Sequence, residues 1–176
     1  MKTIGLISDT HSYLDQKVFD HFADCDEIWH AGDIGDIEVA DQLASFKKLK
    51  AVHGNIDGGK VKITFPEHHF FVSEGFSIWI THIAGRPGAY AKGLKEQLIK
   101  RKPDILICGH SHILRVQRDE KFGGLLYINP GAAGKHGFHK VRTLIKFKLN
   151  KGKIFNMQAI ELGPRAKLDH SELAHQ

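Results

Sequence analysis

Apolar positions along the chain fall into two patterns: short unbroken runs and stripes at helical spacing. Residues 2–8 form an unbroken run of the kind buried on both faces of a parallel sheet. Residues 13–23 then carry Leu14, Val18, Phe19 and Phe22 at helical spacing. Residues 27–30 predict a short strand. Residues 36–46 predict a helix with Asp36 at its N-cap and Ile37, Ala40, Leu43 and Ala44 facing inward, and 49–53 a third strand. This β-α-β-α-β order implies right-handed crossovers and a parallel sheet.

The second half reads differently. Residues 61–65, 68–73 and 76–82 predict strands, with Glu74-Gly75 as a tight turn. Residues 88–101 predict a helix presenting Tyr90, Leu94 and Leu98 on one face, ended by Pro103. Residues 104–108 are a short buried strand. Hairpins follow, 113–119 with 124–129 around Gly123-Gly124, then 142–149 with 153–160 around Asn150-Lys151-Gly152. From Gly163 the chain is polar and reads as a loose tail or a short surface helix. The expectation is an α/β domain over 1–162 with a polar tail over 163–176. Its first half supplies a parallel sheet and its second a mainly antiparallel one. The two pack face to face with helices outside.

At 176 residues the chain fits one domain with a sizeable core. No apolar run approaches the roughly 20 residues of a membrane span. The N-terminus enters a strand directly, which reads as lacking a signal peptide. Cys25 and Cys108 are too few for a disulfide framework and read as small buried side chains in a reducing cytoplasm. The formal charge of +5 comes from dispersed lysines, so a solvated surface is favoured and nucleic acid is the less favoured partner. Of the 13 histidines, His21, His68, His69, His170 and His175 sit in contexts that suggest surface.

The remaining polar chemistry is concentrated where apolar runs end. Asp9 and His11 follow the first run, Asp33 the second, Asn55 the third, His82 the run 78–81, and His110 and His112 the run 104–108. Strand ends of an open α/β sheet share one rim, so five loops converge there. Imidazole suits zinc, iron, manganese, nickel or copper, and carboxylate and amide oxygens suit harder cations. The absence of thiolate argues against a structural cysteine-type zinc site. Seven candidates exceed the needs of one ion and suit two, if one carboxylate bridges. Two divalent ions would outweigh two carboxylates, leaving a positive centre that attracts phosphate and activates water.

Asp9-Thr-His11, Gly32-Asp33-Ile-Gly-Asp36, Gly54-Asn55-Ile-Asp57, Thr81-His82 and Gly109-His110-Ser-His112 together resemble the signature of the calcineurin-like metallophosphoesterases. The likeness runs in order from residue 3 to at least 134. The short length and Asn129-Pro130-Gly131 are similar to the small capless bacterial and archaeal phosphodiesterases, a subgroup that also resembles the retromer subunit Vps29. The resemblance implies a four-layer α/β/β/α sandwich of two mixed sheets. It implies that Asp9, His11, Asp33 and His112 hold a first ion, that Asp33 bridges, and that Asn55, His82 and His110 complete a second. Manganese is the implied activator, with iron, zinc, nickel or magnesium as other occupants. The implied activity is hydrolysis of phosphodiesters by in-line attack of a metal-activated hydroxide. A small phosphodiester or nucleotide would be the substrate, and a homo-oligomer is left open. A Vps29-like binding scaffold and a nuclease acting on single-stranded ends are the alternatives.

Some positions depart from the family pattern. Many relatives carry at Ile56 a histidine that assists the leaving group, and Asp36 loses its expected partner there. His53 is one substitute, and His136 or His139 in the glycine-rich loop is another; general acid–base help is typically worth 10²–10⁴-fold. Ile83 and Ala132 replace a glycine and a serine common in relatives. His30 reads as a buried residue orienting a ligand, Asp36 as a helix cap, a carboxylate supporting the site from behind the ligands, or both, and Asp57 as a turn residue. The Gly131–Gly134 loop reads equally as a phosphate-binding set of N–H groups or as a tight turn.

Overall fold

The computed structural model describes residues 1–166. In chain order the elements are β1 (Lys2–Ile7), α1 (Gln16–His21), β2 (Glu27–His30), α2 (Ile37–Phe46), β3 (Lys48–Ala51), α3 (Gly59–Thr64), β4 (His68–Ser73), β5 (Phe76–Thr81), β6 (Gly85–Arg86), β7 (Ala89–Tyr90), α4 (Leu94–Arg101), β8 (Ile105–Ile107), β9 (Leu114–Asp119), β10 (Leu125–Pro130), β11 (Val141–Asn150) and β12 (Lys153–Pro164). Two five-stranded sheets result, ordered β12-β11-β1-β2-β3 and β4-β5-β8-β10-β9, with β6-β7 as a separate ribbon.

Period-two alternation in buried strands builds the layers. Ile4, Leu6, Ile78, Ile80, Ile105, Ile107, Ile128, Ile145 and Phe147 point between the sheets and form the central core. The opposite face of the first sheet, with Ile7, Ile28 and Leu144, is covered by Val18 and Phe22 beside α1 and by Val39 and Leu43 of α2. On the second sheet, Trp79, Leu106 and Tyr127 are covered by Leu94 and Leu98 of α4. The expected α/β/β/α sandwich of two mixed sheets is therefore the observed architecture.

The structure corrects the sequence reading in several places. Residues 61–65 are not a strand: α3 occupies most of them, burying Val61 against the helix layer and leaving Ile63 87% exposed. An alternation over five residues, 61–65, does not distinguish a strand from little more than one helical turn. The helix expected over 88–101 begins only at Leu94, because Gly93 is in the left-handed conformation and Tyr90 belongs to the small ribbon. The second sheet is not mainly antiparallel: β5, β8 and β10 run parallel at its centre, and only the edge strands β4 and β9 are antiparallel. The last hairpin instead joins the first sheet through antiparallel pairing of β11 with β1. β12 continues through Pro164, so the tail does not begin at Gly163. His170 and His175 lie outside the described residues.

Both cysteines are buried and free, and burial pushes their thiols up to about 11 for Cys25 and about 12 for Cys108. Among the described residues, no helix is long and apolar enough to cross a membrane.

The three parallel strands of the first sheet are also tied by a buried carboxylate. Glu27 of β2 accepts from Lys2 Nζ at 2.9 Å and Trp29 Nε1 at 3.0 Å, and pairs with Lys50 of β3. Burial alone would raise its pKa, but the hydrogen bonds of Lys50, Trp29 and Lys2 outweigh that and lower it from 4.5 to about 2. A depressed carboxylate contributes stability that is present above the unfolded value of 4.5 and is lost as pH falls through about 2. Urea unfolding between those limits is expected to show falling stability that Glu27→Gln flattens. At neutral pH that substitution is expected to cost about 3 kcal/mol, the scale of a broken buried pair.

Candidate metal centre

Hydrogen bonds between loops extend the strand ladder past the strand ends. Asp9 N donates to Gly32 O and His11 N to Asp33 O, both at 3.0 Å, and Ser12 N donates to Ile34 O at 2.9 Å. On the other sheet, Gly109 N donates to His82 O at 3.0 Å. Four of the five loops predicted to carry ligands are therefore stitched in pairs. Asn55 arrives on the fifth, where Gly54 lets the chain approach closely: a Cβ there would strike the Asp33 carboxylate and backbone nitrogen.

The seven candidates meet on this rim. Asp9, His11 and His112 each place a ligand atom within 4.8 Å of the others', and Asp33, His82 and His110 do the same. His112 Nε2 lies 3.1 Å from Asp9 Oδ1, and His82 Nε2 lies 3.2 Å from Asp33 Oδ1 and 3.9 Å from Asp9 Oδ1. His11 Nε2 is 3.5 Å from Asp33 Oδ2 and 4.0 Å from Asp9 Oδ1. Asn55 Oδ1 is 2.9 Å from His110 Nδ1. Asp9 and Asp33 are buried, whereas Asn55 and His110 face solvent.

A partner on the far side of its ring settles which His82 nitrogen is free. His82 Nδ1 donates to Ala31 O at 2.8 Å, which turns Nε2 toward the carboxylates. The Nε2 atoms of His11 and His82 are buried and have no hydrogen-bond partner among the described residues. Buried imidazole nitrogens facing two buried carboxylates, joined to them only if a ring is protonated, are a donor set suited to cations. Burial lowers the pKa of His11 despite Asp33 and Asp9, leaving a neutral ring. Burial also opposes charge on His82, but Asp33, Asp9 and the Ala31 carbonyl together outweigh it and raise its pKa. Asp33 in turn is lowered against the effect of burial, chiefly by His82. The donor set, oxygen and imidazole without thiolate, fits divalent ions.

The surrounding polar residues hold the loops. Ser8 Oγ donates to Asp9 Oδ2 at 2.6 Å, and His110 N reaches the same oxygen at 3.1 Å. His30 coordinates nothing: its Nδ1 accepts from Gly32 N at 3.1 Å, so Nε2 donates to Thr10 Oγ1 at 3.0 Å. Burial takes its pKa down to about 4, so the ring stays neutral and ties the first two loops together.

Asp57 is the residue whose importance the sequence understated. It is buried and accepts from Gly35 N and Gly54 N at 2.7 Å and from Ile34 N at 3.1 Å, clamping the Asp33 loop to the Asn55 loop. Its spacing after Gly54-Asn55 was the available signal, but an Asx turn explains the same spacing without a long-range contact. Asp36 takes the N-cap position of α2 but makes no capping bond through its side chain; its backbone is held instead, N by Ser12 Oγ at 2.9 Å and O by Val39 N at 3.1 Å. The Gly131–Gly134 loop does not offer a phosphate cradle. Gly131 N is held by Asn129 Oδ1, Ala133 N by Ser8 O and Gly134 N by Asp9 O.

A cavity of about 490 Å³ opens over the rim, walled by His11, Asp33, Asn55, His110, His112 and the 136–139 loop, with Ile56 and Ile113 at its mouth. His136 and His139 stand on this wall, whereas His53 lines a neighbouring recess beside Asn55 and His82. A larger cavity of about 600 Å³ lies elsewhere, between Leu98, Phe122 and Ile154, and none of the seven candidates lines it.

Comparison with known proteins agrees with this picture. The family model for the calcineurin-like phosphoesterase superfamily domain matches residues 1–152. A probable metallophosphoesterase of Methanocaldococcus jannaschii is 34% identical over 140 residues, covering 73% of this chain and 67% of that protein. The structure of a novel archaeal phosphodiesterase superposes with a TM-score of 0.72 at 22% identity, over 91% of this chain and 99% of that one. Wild-type Vps29 of Entamoeba histolytica, complexed with Zn2+, superposes with a TM-score of 0.69 at 18% identity, over 90% and 98%. These two likenesses establish the fold alone. With the family match and the curated relative beside the convergent carboxylates and imidazoles, the chain belongs to the calcineurin-like phosphoesterase superfamily as a metal-dependent phosphoesterase.

Proposed function

We propose that this protein is a dinuclear-metal phosphodiesterase. The observation that carries the proposal is the pair of facing ligand groups, Asp9-His11-His112 and Asp33-His82-His110, with buried imidazole nitrogens that only cations or protons can join to the carboxylates. Two divalent ions held there would polarise a phosphoryl group and lower the pKa of the attacking water.

The chain's own residues narrow the substrate. Asp9 and Asp33 between them touch His11 and His82, so either carboxylate is placed to be shared, and Asp33 reaches both groups. Asn55 and His110 are exposed at the floor and meet a ligand first. Among the described residues no lysine or arginine lines the cavity, so beyond the ions none of them brings a fixed positive charge to the second negative charge of a phosphomonoester. A diester carries one charge fewer and a second substituent, which Ile56, Ile113 and the fully exposed Phe138 are placed to accept. With isoleucine at 56, no group at that position protonates the leaving oxygen, so good leaving groups are favoured. Manganese is the expected activator, iron, zinc, nickel or magnesium the other occupants, and a small phosphodiester or nucleotide the substrate.

Metal-stripped protein is expected to regain hydrolysis of an activated aryl phosphodiester when manganese is added, and to favour it over the matching monoester. Asp9→Ala combined with His112→Ala is expected to lower the rate by about a thousandfold or more, roughly 4 kcal/mol of transition-state stabilisation. Absence of manganese-dependent turnover in protein that binds the metal would favour a binding scaffold instead.

Metal and proton compete for His82. Its pKa is raised above 6.5, so the ring is protonated below the raised value and available above it. Apparent manganese affinity is therefore expected to fall as pH drops through that raised value, with proton release on binding. Calorimetry in buffers of different ionisation enthalpy measures this; pH-independent binding without proton release would contradict it.

A further inference from the structure

The loop between β10 and β11 contributes two histidines to the cavity that belong to neither ligand group. His136 is exposed and meets His11 only ring against ring, with centroids 4.8 Å apart. His139 is held on both sides. Its Nε2 lies 2.9 Å from Gly134 O, and its Nδ1 lies 3.3 Å from His112 Nδ1. The Gly134 carbonyl can only accept, so the proton of a neutral His139 ring sits on Nε2 and its Nδ1 carries a lone pair. The contact between the two Nδ1 atoms then requires the hydrogen to come from His112. That leaves His112 Nε2 unprotonated, and this is the nitrogen 3.1 Å from Asp9 Oδ1.

The local backbone supports the arrangement. Gly134 N donates to Asp9 O at 3.0 Å, so the carbonyl that orients His139 belongs to a residue fastened to the first ligand loop. Gly137 passes against the same edge of His112 at a φ of 120°, and a Cβ there would lie 2.6 Å from His112 Cε1. His139 and the glycine backbone thus cover the Nδ1 edge.

We propose that His139 is a positioning residue: it accepts the Nδ1 hydrogen of His112 and so presents Nε2 as an unprotonated ligand toward Asp9. The proposal rests on the metal-site reading above. The chain runs Gly134 carbonyl, His139, His112, cation, with each ring donating from one nitrogen and accepting or ligating through the other. Metal-bound histidines commonly depend on such a partner, and its loss typically weakens metal affinity about 10–100-fold.

The test uses the full chain with three substitutions. His139→Ala removes both contacts. His139→Phe keeps a ring but no acceptor. In His139→Gln the amide oxygen can accept from His112 while its NH2 donates to Gly134. Manganese alone is titrated into each metal-stripped variant, and circular dichroism verifies folding. Nitrogen-edited NMR of the zinc-loaded protein follows the ring N–H of His112. The Ala and Phe variants are expected to bind manganese about 10–100-fold more weakly and to lose the slowly exchanging Nδ1–H, while Gln stays within about threefold of the original. Unchanged affinity in Ala or Phe overturns the proposal, and so does a folded Gln variant as weak as Ala. A wild-type protein that binds manganese but hydrolyses no phosphodiester would sink the functional reading while leaving this comparison of affinities intact.

Discussion

Two buried carboxylates, Asp9 and Asp33, set the terms for the rest of the molecule. Both lie at the ends of parallel strands in the first sheet, both are almost fully covered, and both face the same two histidines. Like charges in a shared low-dielectric site repel, and burial of each costs several kcal/mol unless opposite charge compensates. The protein supplies part of the compensation through Ser8, the backbone N–H groups of Ile56 and His110, and the proton that His82 tends to keep. Cations would take the place of that proton. A seat for metal therefore follows from where the fold buries its negative charge, before any catalytic role is considered.

Holding these groups in place strains the backbone. Asp9, His11, Asp33, His110 and His112, five of the seven candidate ligands, are in the left-handed conformation with φ between 45° and 67°. Such conformations cost of order 1–3 kcal/mol each for residues other than glycine and persist only where neighbours over-determine them. Here the neighbours can be named. Asp57 clamps two loops through three backbone N–H groups. His30 and Thr10 lock the first loop to the second. Asn129 binds Gly109 O and the Ser111 hydroxyl beneath the loop that carries His110 and His112. The sandwich core anchors the strands, and these polar clamps carry that rigidity outward to the ligands.

Much of this could be read from the chain. Apolar runs such as 4–7 and 105–107 have one meaning in a parallel sheet, and a polar ligand type directly after each run points to the shared rim. The order of the five motifs is a local property, and it identified the family. What could not be read depends on distant partners. Asp57 looks like a turn residue until Ile34 and Gly35 arrive beside it. His139 was one of several histidines able to stand near Ile56, and only packing against His112 distinguishes its position from that of His53. The last hairpin carries the alternation of a half-buried strand whichever sheet it joins, so its return to β1 had no local sign. Residues 61–65 suggest a strand where α3 forms because Val61, Ile63 and Phe65 alternating with Lys62 and Thr64 fit both periods over so short a span.

The proposed two-cation site sits on a rim whose carboxylates and imidazoles face one another. Its most direct measurement is an equilibrium titration of the metal-stripped chain with manganese, counting ions bound while following the melting temperature. Saturation at two ions per chain is expected, with a rise in melting temperature that tracks occupancy, because the cations neutralise buried charge in the folded state alone. Saturation at one ion, or binding that leaves the melting temperature unchanged, would contradict it.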